Sequence, residues 1–289
     1  MIPTQFNKTT PWRDKLLATS AWLAAAIVSL FFIWLLSDIL WHGIQRLSWD
    51  FLTSDPLDAG RSGGIGPIIV STLLILTICL VVAIPIGLGC AIYLAEYAQQ
   101  AHPASLRYIR GSLDVLASMP SIVLGLFGSA FFCILLGFGF SILSGGLTLA
   151  CMVLPLLIRT AEQGLRDVAH EHRTSAAALG LSRYSTLLHI IIPAAAPAIM
   201  VGIVLSVGRA LAETAALIYT AGYVTRMPES IFDSGRTLSI HIYDLSMNVP
   251  GGNSTSYGSA LVLIILLLFI NISTAWLNEK YFTRKFKHA

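Results

Sequence analysis

Two opposite charges, Arg209 and Glu213, lie four residues apart in an apolar stretch near 194–220. Residues at i and i+4 share one face of a helix, so the pair is expected side by side, with Gly202 and Ser206 extending the same face. Charges inside a spanning helix are costly and by default mark a functional site. Two readings stand. In the first, the pair neutralises itself between packed helices, and the small residues Gly202, Ser206 and Ala210 allow the close approach. In the second, Arg209 meets an anion that is shedding its water, because a guanidinium offers the planar, often bidentate hydrogen bonds that suit an oxyanion. Glu213 then holds Arg209 while the site is empty and keeps the anion from binding too tightly to leave. One arginine does not neutralise a doubly charged oxyanion, so a further cation is expected from a facing helix.

The surrounding chain is built to hold that face in a bilayer. Hydrophobic residues make up 55% of the sequence and charged residues 11%, with a mean hydropathy of +0.75; a soluble domain carries about a quarter charged residues. A spanning helix needs about 20 mainly apolar residues, and that length predicts six spans, near 16–42, 66–95, 110–137, 141–158, 194–220 and 257–278. The first apolar run, Leu16–Trp41, is too long for a signal-peptide core of about 7–15 residues and reads as an uncleaved span. With six spans both termini share a side, where thirteen Lys and Arg fall against four on the other. That bias puts the termini and the polar loop 159–193 in the cytoplasm. Pro85, Pro120 and Pro155 are expected to kink their helices. In the outer segment 221–256, Ser230–Met247 is expected to form a short helix on the outer surface.

Several chemistries are missing. None of the five lysines follows a glycine, so there is no P-loop, and no H-E-x-x-H or G-x-S-x-G occurs. The chain is therefore read as a non-enzyme with no cofactor and no metal. His170 and His172 are two apart and face different sides of a helix. Cys79, Cys90, Cys133 and Cys151 all fall in apolar runs and read as small buried hydrophobes. The net charge of +3 carries no nucleic-acid signal; the surrounding partner is the lipid bilayer. The loop itself has order: Ala-rich helix formers end at Gly180, a good helix stop, and a second short helical piece, Ser182–Ile191, precedes Pro193.

In that loop Thr174-Ser175-Ala176, Gly180 and Ile190-Ile191-Ile192-Pro193 resemble the E-A-A…G…I-x-L-P signature of bacterial ABC-importer permeases. Gly180, Ile190, Ile192 and Pro193 are in register, while Thr174 and Ser175 replace the signature's Glu and first Ala. Four further stretches are similar to the A-type permease subunits of phosphate-specific transporters: Tyr93–Tyr97 (YLAEY), Met119–Phe127 (MPSIVLGLF), Leu154–Glu162 (LPLLIRTAE) and Gly208–Ala215 (GRALAETA). The resemblance implies an all-α integral membrane protein of the type I importer kind, one permease domain of six transmembrane helices. Its loop would be a cytoplasmic coupling helix docked in a cleft of an ATPase. It also implies a bacterial cytoplasmic membrane location and four partners: a second, C-type permease, two ATPase subunits and an extracytoplasmic phosphate-binding protein. In that family the arginine and glutamate matching Arg209 and Glu213 are implicated in transport. A permease for molybdate, sulfate or phosphonate, or a secondary transporter or channel, remains an alternative reading.

Overall fold

In lipid every peptide group needs a partner inside the protein, and the apolar stretches meet that demand as helices. The computed structural model describes residues 11–97 and 103–278; Lys8 and the four basic residues near the C-terminus, which enter the charge bias, lie outside them. Helix α1 (Pro11–Arg46) leads to a short α2 (Trp49–Thr53) and a two-stranded antiparallel ribbon, β1 (Pro56–Leu57) with β2 (Ser62–Gly63). Then come α3 (Gly66–Ile92, with a π-helical end at Tyr93–Tyr97), α4 (Pro103–Ser118), α5 (Ser121–Gly128, with a π-helical end at Ser129–Leu135) and α6 (Ile142–Asp167). Two short helices, α7 (His170–Ala178) and α8 (Arg183–Thr186), precede α9 (Ile192–Leu211), α10 (Ala215–Ile218), α11 (Leu238–Met247) and α12 (Asn253–Asn278).

Among the described residues five helices are long and apolar enough to cross a membrane, and α4 with α5 makes a sixth span only as a bent pair, turned by 105°. The third span expected over 110–137, with its kink at Pro120, is present as this bent pair. Pro120 has no N–H to continue the ladder and pushes Met119 out of the helical region; its own ψ of 142° is extended, and α5 starts just after it. Pro85 and Pro155, by contrast, sit inside helices that continue past them. Two other boundaries differ from the hydropathy limits. Helix α6 runs on to Asp167, which puts Arg159, Glu162 and Arg166 on a helix instead of in the loop. Helix α9 stops at Leu211, nine residues before the expected end at Thr220.

Helices α3, α6 and α9 form the centre, where Ile75, Cys79, Leu149, Val153, Leu157, Val207 and Leu211 are buried together. Small residues set the spacing: Gly202 of α9 faces Thr160 of α6, and Gly164 of α6 faces Ala198. The segment after α10 is packed inward. It satisfies the first peptide N–H groups of α6, which no helix can satisfy by itself: Ile142 N donates to Asp233 O (2.9 Å) and Leu143 N to Ile231 O (2.9 Å). The short helix expected on the outer surface over Ser230–Met247 is therefore corrected in two respects. It covers only Leu238–Met247, and Leu238, Ser239, Ile240, His241 and Leu245 are buried. Helix α1 packs against α12 and otherwise presents its apolar surface outward.

Helix α5 lies so close to α10 that a Cβ at Gly125 would sit 2.7 Å from Ala216 Cα. Gly125→Val is expected to cost about 1–3 kcal/mol by overpacking, lowering the thermal midpoint of the detergent-purified protein. Gly89→Ala, with nothing within 4 Å of the added carbon and a better helix former in place of glycine, should not lower that midpoint.

Candidate functional site

Helix α9 delivers Arg209 to its last turn, where the negative end of the helix dipole favours a cation. The side chain is exposed, and among the described residues it has no hydrogen bond and no ion pair. Among the described residues it forms no ion pair with Glu213. The helix ends at Leu211 with Ala212 as its cap, so the i to i+4 relation across Arg209 and Glu213 is interrupted. The expected pairing on one helical face is corrected accordingly. Glu213 Oε1 instead accepts from Ala216 N (3.1 Å) and so caps α10, and Glu213 O accepts from Ser239 Oγ (2.6 Å) on α11. Ser206 is fully buried and donates to Gly202 O (2.8 Å). The three residues expected together are thus separated: Ser206 faces inward, Arg209 is open, and Glu213 ties three helices at the break.

That break is anchored by α11. Leu238 N donates to Thr72 Oγ1 of α3 (3.0 Å), and Thr237 Oγ1 lies 2.9 Å from Ser239 Oγ. Beside them Arg236, almost fully buried, pairs with Asp244 (3.0 Å), donates from Nε to Tyr223 O (3.0 Å) and lies over the Tyr223 ring. Its Nη1 is 3.5 Å from Nδ1 of the wholly buried His241, whose Nε2 has no partner among the described residues. Burial, and then the Arg236 charge, push the His241 pKa down to about 3, so the ring stays neutral. In the sequence Arg236 is only one more charge in the outer segment 221–256. Its partner lies eight residues on, a spacing with no helical or strand meaning.

The second predicted group is assembled as a hairpin. Thr174 and Ser175 are exposed on α7 while Ala176 is buried. Gly180 has φ +73°, a left-handed conformation that suits glycine after a helix C-terminus, and Leu181 N closes the turn on Ala176 O (3.0 Å). Ile190 sits in a π-helical turn, and Ile192 and Pro193 begin α9, so the hairpin feeds directly into the helix that carries Arg209. Arg173, which sequence reasoning passed over, fastens the hairpin: it bonds Glu96 Oε1 (2.6 Å), Leu165 O (2.8 Å) and Val168 O (2.7 Å). The usable signal was the acidic residue in the YLAEY stretch. Among the described residues no three of His, Cys, Asp or Glu gather as metal ligands.

Residues 83–287 match the family described as binding-protein-dependent transport system inner membrane component. A probable ABC transporter permease protein of Bacillus subtilis, YqgI, is 33% identical over 94% of this chain and 97% of its own. The phosphate transport system permease protein PstA 1 of Mycobacterium tuberculosis is 32% identical over 90% of this chain and 87% of its own. The phosphate transport system permease protein PstA of Mycobacterium leprae is 32% identical over 83% and 80%. Among solved structures, an inward-facing form of the MetNI methionine ABC transporter superposes with a TM-score of 0.54 at 15% identity, covering 72% of this chain and 89% of that one. At that identity the likeness is one of fold.

The His241 pocket has a pH signature. Below about pH 6.5 the unfolded chain takes up a proton that the folded pocket refuses, so the stability is fully present above 6.5 and is lost as pH falls toward 3. The thermal midpoint should therefore drop between pH 7 and pH 4.5, and His241→Gln should flatten the drop. Arg236→Gln, which strands the nearly buried Asp244, should cost about 3 kcal/mol, read as a lowered midpoint at pH 7.

Proposed function

Because the chain belongs to the binding-protein-dependent transport system inner membrane components, we propose that it is the A-type permease subunit of an ATP-driven phosphate importer. It forms half of the translocation pathway, and a second, C-type permease forms the other half. It lies in a bacterial cytoplasmic membrane with both termini and the α7–α8 hairpin on the cytoplasmic side, the orientation that its basic residues favour. The chain catalyses no covalent step. It has no P-loop, so two ATPase subunits hold the nucleotide, and an extracytoplasmic binding protein delivers the anion. The observation that carries the reading is an arginine inside a span with no partner among the described residues, in a chain 32% identical, over most of its length, to a phosphate transport permease.

The mechanism follows from one uninterrupted helix. Closure of the ATPases pushes the hairpin of Thr174, Ser175, Ala176 and Gly180, and Ile190, Ile192 and Pro193 pass that displacement into α9. Helix α9 carries it from Ile192 to Arg209, about 25 Å at 1.5 Å per residue. There the guanidinium, with its donors unused, replaces part of the hydration shell of hydrogen phosphate. Glu213, engaged with Ala216 and Ser239, acts by holding the break between α9 and α10, while Ser206 keeps α9 seated on its neighbours. Arg209→Gln should lower phosphate uptake about tenfold or more in membranes where the complex and its ATP hydrolysis are intact; uptake at the wild-type rate would end the proposal. Gly180→Pro cannot take up the φ of +73° and should uncouple the complex. If binding-protein-stimulated hydrolysis and uptake both persisted, the hairpin would not be the coupling element.

A further inference from the structure

The bend at Pro120 has a result beyond shortening a span: it lays the polar face of α4 against the last turns of α6. Arg110 Nη2 is 3.4 Å from Glu162 Oε1, and Arg166 Nη2 is 2.7 Å from the same oxygen. Arg159 pairs with Asp114. With Leu113 and Gln163 these side chains line a cavity of about 370 Å³, and Arg107 lines the groove beside it. Three guanidiniums therefore face two carboxylates, which leaves a positive surplus in a cavity large enough for a small oxyanion.

The two carboxylates are held differently. Glu162 is 15% exposed and shared by two arginines, so it is fixed; Asp114 is 63% exposed and bound to Arg159 alone. An exposed ion pair is worth little, roughly 0.2–1 kcal/mol, so an incoming anion displaces Asp114 into water cheaply. The position also fits a route. Arg159 stands next to Thr160, the residue that meets Gly202 on α9, and Arg209 is seven residues further along that helix, about 10 Å away along the axis.

We propose that Arg110, Arg159 and Arg166, with Asp114 as a displaceable counter-ion and Glu162 as a fixed one, form a second oxyanion site near the hairpin end of the bundle. This rests on the phosphate reading and adds the station that receives phosphate after Arg209. Arg159 and Arg110 bind the anion, Glu162 keeps Arg110 and Arg166 oriented, and the return of Asp114 to Arg159 expels the anion onward.

The test uses the assembled complex with its ATPases, second permease and binding protein. Gln163→Cys is labelled with a thiol reagent, the parent chain serving as blank for the native cysteines, in inorganic phosphate or in chloride at equal ionic strength. Phosphate should slow labelling about threefold or more, and Arg159→Gln should abolish that protection. In proteoliposomes Arg159→Gln should lower phosphate uptake about fivefold or more while binding-protein-stimulated ATP hydrolysis persists, and Arg159→Lys should restore part of it. Equal labelling in phosphate and chloride, or uptake unchanged by Arg159→Gln, overturns the site. Failure of the phosphate reading itself looks different: the unaltered complex would then take up no phosphate at all.

Discussion

A helix that stops inside a membrane leaves peptide groups that lipid cannot satisfy, and the way those groups are satisfied shapes this chain. At 212–214 the ladder of α9 ends, and the freed groups are claimed from two directions. Glu213 O takes the hydroxyl of Ser239, and Ala216 N takes the carboxylate of Glu213. Ser239 reaches that carbonyl because Thr72 holds Leu238 N and so fixes the start of α11. The inward fold of the segment between α10 and α12 is thus a condition for breaking α9 at all. Its other contacts, to the first N–H groups of α6, serve the same demand at a neighbouring helix end.

The same demand divides what the sequence could reveal from what it could not. Hydropathy alone finds the apolar stretches, because about 20 apolar residues cross a bilayer whatever they touch. It does not find Leu211 as a terminus, since Ala212–Ile218 is as helix-friendly as what precedes it. Only a hydroxyl from Ser239, 26 residues on, makes the stop affordable. Pro120, Pro85 and Pro155 look alike in sequence, yet only the first divides its span. Gly180 was legible because its role is local: a left-handed residue after an Ala-rich helix needs no distant partner.

The candidate site was legible in its residue types and not in their relation. Arg209 stands out because a charge in an apolar run is rare, and the structure leaves it open to a ligand. Its supposed partner is turned to another task by a helix end that spacing rules do not foresee. The reverse holds at Arg159 and Glu162. They read as loop residues by hydropathy, but α6 extends through them, and the bend at Pro120 brings Arg110 and Asp114 across. In both places one helix boundary decides which charges meet.

Helix α9 has the hairpin at one end and the stop at Leu211 at the other, and it continues through Pro197, which removes one bond of its ladder. A hydrogen-bonded helix is stiff along its axis, so a shift of about 1–2 Å imposed at Pro193 arrives at Ala212 almost undiminished. A bond of 2.6 Å between Ser239 and Glu213 cannot stretch that far and remain a hydrogen bond. Under the proposed coupling the joint would be a shear pin, holding while α9 rests and parting when the hairpin drives it. Under that coupling a parted joint leaves the Glu213 carbonyl in need of a new donor, so the push on α9 would run between two seated positions instead of along a continuous slide.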